Sequence, residues 1–192
     1  MMKAFIVAEI ASNWEGNMSK AKKLILNCKN AGANAVKFQI WRAEDLYQKD
    51  HPEWINILKS ELSFKKIKIL KTYCDSIGIE FFASVFYPEA VEFLESIKVK
   101  RYKIASRTCT LKDPYSIETI EKIGITKKPT IISMGMGGNK KMIKQKISNN
   151  KDLFCYCISK YPTKISEINW KKAMEYNGFS DHTLGFTAPI IF

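Results

Sequence analysis

The chain has 192 residues, 46% hydrophobic and 26% charged, with a net charge of +12. No run approaches the roughly eighteen apolar residues of a membrane span, and an odd five cysteines, at 28, 74, 109, 155 and 157, do not suggest a disulfide framework. The charge is nearly all lysine, with arginine only at 42, 101 and 107, and it runs along helical stretches rather than gathering into the arginine forks and aromatic platforms of a nucleic-acid surface. One soluble, cytoplasmic domain is expected, with no nucleic-acid or membrane partner, and its charge favours small anions.

The start, MMKAFIVAEI, lacks the long apolar core and cleavage site of a signal peptide, and KAFIVAEI reads as a buried first strand. After the polar turn SNWEGN, the segment SKAKKLILNCKNAG sets Ala21, Leu24, Ile25, Cys28 and Ala31 on one helical stripe, with Gly32 at its stop. ANAVKFQI is a second strand. Residues 42–59 form a long connection without a clear period, suited to part of a lid. The spacing of Leu62, Ile67, Leu70, Tyr73, Cys74 and Ile77 predicts a helix over 60–77, ended by Gly78. IEFFASVF is a third strand, and Pro88 opens the helix PEAVEFLESI. RYKIAS is a fourth strand, and Asp113 and Pro114 read as N-cap and first turn of PYSIETIEKI. KPTIISMG, a lysine-rich helix and DLFCYCIS follow, with Cys155 and Cys157 facing the same way as core residues. A helix near 166–176 precedes the short seventh strand, GFSDHT.

Strands and helices alternating at this spacing mean a parallel α/β fold. A TIM-type (β/α)8 barrel competes with an open doubly wound sheet. No G-x-G-x-x-G follows the first strand, and seven units in order favour the barrel. A full barrel takes about 250 residues, so residues 1–192 are expected to form an incomplete one, with about seven of its eight strands.

Active sites of such barrels lie at the C-terminal strand ends. Glu9, Lys37, Gln39, Ser84, Lys103, Ser106, Ser159, Tyr161, Ser180, Asp181 and His182 all fall there and are expected on one rim. Lys37 and Lys103 lie inside apolar strands, where an unpaired ammonium is costly. Each either reaches a phosphate or carboxylate or pairs internally, as Lys37 with Glu9. A Schiff-base lysine is a third option, because burial lowers a lysine pKa. His182 is either a structural histidine or one metal ligand, and His51 is the only other histidine. The stretch GMGG, 135–138, is either a tight turn or a set of exposed amides, and it lacks the Lys-Ser/Thr end of a Walker loop.

FIVAEIASNWEG, AGANAVKFQIWRAEDL, FFASVF, YKIAS, KPTIISMGM, YCISKYPT and GFSDHTLG, taken in order, resemble the sialic acid synthase family, which includes legionaminate and pseudaminate synthases. The resemblance runs from residue 5 to 186. It implies condensation of phosphoenolpyruvate with an N-acetylated amino sugar, such as N-acetylmannosamine, to a nine-carbon 2-keto sugar acid and phosphate. It implies a barrel followed by a small antifreeze-like domain, absent from this sequence, that completes the partner's site in a swapped homodimer. Glu9 then matches the catalytic glutamate, and Lys37 and Lys103 the phosphoenolpyruvate-binding lysines. Ser84 stands where the family has threonine near the phosphate, Ser106 matches a phosphate-binding serine, and Tyr161 and Ser180 belong to the substrate pocket. His182 matches the first of two histidines that hold a divalent metal, usually manganese, acting as a Lewis acid on the sugar aldehyde.

The sequence departs from the family at several points. The N-H-x-G turn is Asn13, Trp14, Glu15, Gly16, the usual S-G-E is Ser106, Arg107, Thr108, and Ser159 replaces an asparagine. Arg107 is expected to bring charge and bulk into a tight rim, and the second metal histidine would lie beyond Phe192. Two other functions fit the same residues. One is a lysine-dependent barrel aldolase. The other is a truncated or decayed, non-catalytic synthase homologue that associates with a complementing chain through its open strand edges.

Overall fold

Residues 4–147 and 151–192 are described by a computed structural model, in which contacts divide the chain into two units, Met1–Lys100 and Arg101–Phe192. The N-terminal unit is built on three parallel strands, β1 (Val7–Glu9), β2 (Ala35–Ile40) and β3 (Glu80–Val85). β2 pairs with both others, setting Glu9 opposite Lys37 and Gln39 opposite Ser84. Five of its six residues are buried, so its sequence is a nearly continuous apolar run rather than an alternation.

Around these strands lie α1 (Met18–Asn30), α2 (Ala43–Leu46), α3 (Trp54–Ser60), α4 (Phe64–Ile77) and α5 (Pro88–Ser96). The two long helices have clear chemical limits. Asn17 caps α1 by accepting the Lys20 N–H at 3.0 Å, and Ser63 caps α4 by accepting that of Lys66 at 3.4 Å. α4 stops at Gly78, whose φ of +70° a side chain would resist. The two helices are in contact, and their buried residues are Ala21 and Ile25 of α1 and Ile67, Leu70 and Cys74 of α4. Gly16 closes the turn before α1 with φ +74°, and a Cβ there would lie 2.5 Å from the Lys59 carbonyl oxygen.

The C-terminal unit carries β4 (Tyr102–Ile104), β5 (Thr130–Ser133), β6 (Leu153–Cys157) and β7 (Gly178–Ser180), each parallel to the next. Its helices are α6 (Ser116–Thr126), α7 (Lys140–Ile147), α8 (Trp170–Ala173) and α9 (Thr187–Ile191). Tyr156, Ile168, Ala173 and Ala188 form a core cluster against which Trp170, Phe179 and Phe192 pack. The fold class is the TIM-type α/β barrel, of which the described residues carry seven strands. Among the described residues no helix is long and apolar enough to cross a membrane.

Several expectations need correction. The first strand is three residues long, and Phe5 and Ile6 before it are 44% and 58% exposed; Lys3 lies outside the described residues. The connection 42–59 contains α2 and most of α3, whose lengths of four and seven residues are too short to reveal a helical period. The helix expected over 60–77 begins at Phe64 because Ser63 caps it, and Leu62 is buried ahead of the cap. Asp113 does not cap α6, which follows Tyr115; its carboxylate is taken by Arg107. The helix near 166–176 is a 3-10 turn, Ile165–Glu167, followed by α8.

The phase of α4 predicts unequal effects from adjacent truncations. Leu70→Ala, at a fully buried position, should lose about 2–5 kcal/mol of unfolding free energy in urea. Ile69→Ala, 41% exposed, should lose under about 1 kcal/mol.

Candidate active site

Parallel register and the two-residue period of a strand decide which side chains meet. In the N-terminal unit they put Glu9, Lys37, Gln39 and Ser84 on one sheet face. The Lys37 ammonium is buried, pairs with Glu9 Oε2 and donates to Ser84 Oγ at 3.3 Å. Glu9 Oε1 accepts the Ala11 N–H at 3.0 Å. Of the three possibilities open for Lys37, the structure contains the internal pair. Glu9 is held as an acceptor, its side chain 40% exposed beside the buried lysine.

In the C-terminal unit the same rule places Lys103, Ser133, Cys155, Cys157 and Ser180 on one face. Lys103 is buried, donating to Ser133 Oγ at 2.6 Å and to the Ile104 carbonyl at 2.9 Å. Neither partner carries a negative charge. Burial holds its pKa below the ordinary 10.5, partly opposed by the thiols of Cys155, Cys157 and Cys109. Cys109 itself is pushed up to about 12 by burial and stays a neutral thiol.

Ser106, just beyond β4, accepts the Gly135 N–H at 2.9 Å and donates to Cys157 Sγ at 3.6 Å. The GMGG stretch thus makes a turn whose first amide is already engaged. Ser159 Oγ lies 3.9 Å from the same sulfur. Ser180 ends β7, half-buried and in register with Cys157.

Tyr161 and His182 meet at the end of this unit, with ring centroids 4.1 Å apart. His182 Nδ1 lies 2.7 Å from the Ile158 carbonyl, which can only accept, so Nδ1 carries a proton. In the neutral ring Nε2 is then an acceptor, and the Tyr161 hydroxyl reaches it at 3.1 Å. A backbone carbonyl on Nδ1 is how ligating histidines are commonly oriented. The rest of a metal site does not accompany it. Asp181 turns its carboxylate onto Thr183, at 2.9 and 3.1 Å. Among the described residues no group of three or more His, Cys, Asp or Glu stands together to hold a metal ion, and one imidazole does not constitute a divalent-metal site.

Two of the departing residues, Arg107 and Trp14, have structural duties. Arg107 does not stand free in the rim: its guanidinium binds Asp113 through two bonds, of 2.7 and 2.9 Å. Thr108 is buried with no partner for its hydroxyl. Trp14 is fully buried, with Lys66 Nζ 4.9 Å from the ring centroid. Ser133 and Cys157 touch these candidate residues and were not singled out by sequence reasoning, whereas Gly135 was, within the GMGG stretch. Ser133 carried a readable signal, a polar residue ending an apolar strand beside a glycine-rich turn.

Residues 24–191 match the model of a family described as the NeuB family. The chain is 33% identical to the N,N'-diacetyllegionaminic acid synthase of Legionella pneumophila, over 99% of its own length and 60% of that protein's. It is 34% identical to a pseudaminic acid synthase of Campylobacter jejuni, over 98% of this chain and 61% of that protein. Among solved structures, the N-acetylneuraminic acid (sialic acid) synthetase of Leptospira borgpetersenii, in complex with citrate, has a TM-score of 0.84 at 25% identity, over 99% of this chain and 69% of that one. The chain spans about three-fifths of the length of the curated relatives it matches.

The depressed pKa of Lys103 has a measurable sign. Between that pKa and 10.5 the unfolded chain binds the extra proton, so this lysine's penalty on folding is relieved as pH rises through the interval and is full below it. Unfolding free energy of the wild type should climb relative to Lys103→Met there, by up to about 1.4 kcal/mol per pH unit. Parallel curves would show that Lys103 titrates as an ordinary lysine.

Proposed function

This chain belongs to the NeuB family, and from that premise we propose that it binds phosphoenolpyruvate and, in the whole protein, condenses it with an N-acetylated amino sugar to a nine-carbon 2-keto sugar acid and phosphate. The observation that carries this is Lys103, a buried ammonium whose partners, Ser133 and the Ile104 carbonyl, are uncharged. Such a group is stabilised by an arriving anion, and hydroxyls beside it supply further donors. The solved synthetase that holds citrate, itself a polycarboxylate, agrees with that chemistry.

The proposed roles rest on the family resemblance. It gives Lys103 and Ser106 in one unit, and Lys37 and Ser84 in the other, donor roles toward the phosphate or carboxylate. C3 of phosphoenolpyruvate attacks the open-chain sugar aldehyde, forming the new C–C bond while the carbonyl π pair moves to the aldehyde oxygen, which takes a proton from solvent, and an oxocarbenium-like centre is left at C2. Water adds at C2 and loses one proton to Glu9, which is paired with Lys37. The C2–O bond to phosphate then breaks, its electron pair leaving with the phosphate while the C2 hydroxyl gives its proton to solvent, leaving the ketone. The lysines stabilise the charge as it moves onto the leaving phosphate. Tyr161 and Ser180 contact the amino sugar, and His182 is the single imidazole available toward a divalent ion such as manganese, which needs donors from elsewhere. We further propose a cytoplasmic enzyme that works as a homodimer or with a complementing chain.

The lowered pKa of Lys103 favours one competing activity, a Schiff-base aldolase. Borohydride reduction in the presence of a keto acid separates the two. We expect no adduct on Lys103, and a covalent adduct there would establish the aldolase instead.

Binding comes first, because it needs only this chain. Phosphoenolpyruvate should titrate calorimetrically into the wild type. Lys37→Met and Lys103→Met should each weaken it at least about ten-fold, the loss of one charge-assisted hydrogen bond. Lys49→Met, an exposed lysine paired with Glu44, should leave it unchanged. Equal affinity in all four proteins would remove both lysines from the anion site.

A further inference from the structure

We propose that Cys157 is a positioning residue for the Ser106 hydroxyl, holding its proton until an arriving anion takes it; this rests on the phosphoenolpyruvate-binding function proposed above. Ser106 Oγ has one proton and two lone pairs. One lone pair accepts the Gly135 N–H at 2.9 Å, and the proton is directed at Cys157 Sγ, 3.6 Å away. Both side chains are buried, at 7% and 9% exposure, so water does not compete freely for that proton.

Sulfur is a weak acceptor. It sets the direction of the Ser106 O–H without holding it against a stronger acceptor. An anionic oxygen is a stronger acceptor, and its hydrogen bond to a hydroxyl is shorter and about twice as strong as a neutral one. When the anion arrives, the proton turns from the sulfur to the anionic oxygen while the Gly135 amide keeps Oγ in place.

The same sulfur also shapes the turn that supplies the amide. A Cβ at Gly135 would lie 2.6 Å from Ser159 Oγ, 2.8 Å from Cys157 Sγ and 2.9 Å from the Cys157 carbonyl oxygen. Only a glycine brings its N–H this close to the end of β6. Cys157 therefore faces a hydroxyl on each side, Ser106 and Ser159, and a bare glycine between them. A cysteine kept for packing alone has no need of these polar neighbours.

The test is a double-mutant cycle read in anion affinity. Phosphoenolpyruvate and inorganic phosphate are titrated into the wild type, Cys157→Ala, Cys157→Ser, Ser106→Ala and the two double variants, each checked for a cooperative thermal transition. Cys157→Ser nearly keeps the volume, so a cavity does not explain its effect. Its oxygen, on a shorter bond than sulfur, falls beyond hydrogen-bond reach of Ser106. Because the arriving anion must take the Ser106 proton from the sulfur, both Cys157 variants should tighten both anions, by up to about five-fold, the size of one neutral hydrogen bond. In the Ser106→Ala background the same changes should have no effect. Unchanged or weakened affinity in the folded single variants overturns the proposal, as does an equal gain with and without Ser106. Wild-type protein that binds neither anion sinks the proposed function, and this positioning role with it.

Discussion

Lys37 and Lys103 each carry an ammonium into a strand that is otherwise apolar, and the loss of water around those two groups sets the terms for everything near them. The two are compensated differently. Lys37 has a carboxylate from the neighbouring strand, delivered by the register that sets Glu9 opposite it. Lys103 has a serine hydroxyl and a carbonyl. The first arrangement is nearly complete in the protein alone. The second is left with a positive charge and no charged partner among these bonds, and burial lowers its pKa. A chain selected for stability alone would place an apolar side chain there.

The strand ends were legible because burial on both faces makes parallel strands read as short apolar runs, and a lysine inside such a run stands out. Pro88 and Gly78 were legible for equally local reasons, a fixed φ and a positive one. What sequence reasoning missed depends on distance along the chain. Ser106 meets Gly135 across 29 positions and Cys157 across 51, and no period in the sequence reports such meetings. Cys157 looked like core, and by burial it is; only its neighbours make it polar chemistry. Asp113 before Pro114 has the composition of a helix cap, but the guanidinium six residues earlier takes both its carboxylate oxygens. Short helices such as α3 fail for a simpler reason: seven residues make under two turns, too few to display a stripe.

Family membership and local geometry inform different parts of the proposed chemistry. Membership names a reaction class. Geometry distinguishes the residues equipped for it from those reassigned to structure. Trp14 and Arg107 stand where the family pattern differs, yet one is packed in the interior and the other is locked in an ion pair. Neither brings an uncompensated charge to a strand end. The histidine is intermediate: its tautomer is set as a metal ligand's would be, but its acceptor nitrogen is turned to a tyrosine.

The contrast between the two lysines also bears on how an anion approaches. Glu9 and Lys37 together are electrically a dipole, whose field falls away steeply, so it acts only at contact. Lys103 is a monopole seated among uncharged atoms, where screening by dissolved salt is weak. The pull felt at a distance comes from Lys103 and from the exposed lysines that contribute to the chain's charge of +12, and all of it fades as ionic strength rises, whereas at contact, inside the protein, Lys103 keeps its strength. An anion entering the proposed site would therefore be captured more slowly in concentrated salt, and loosened far less.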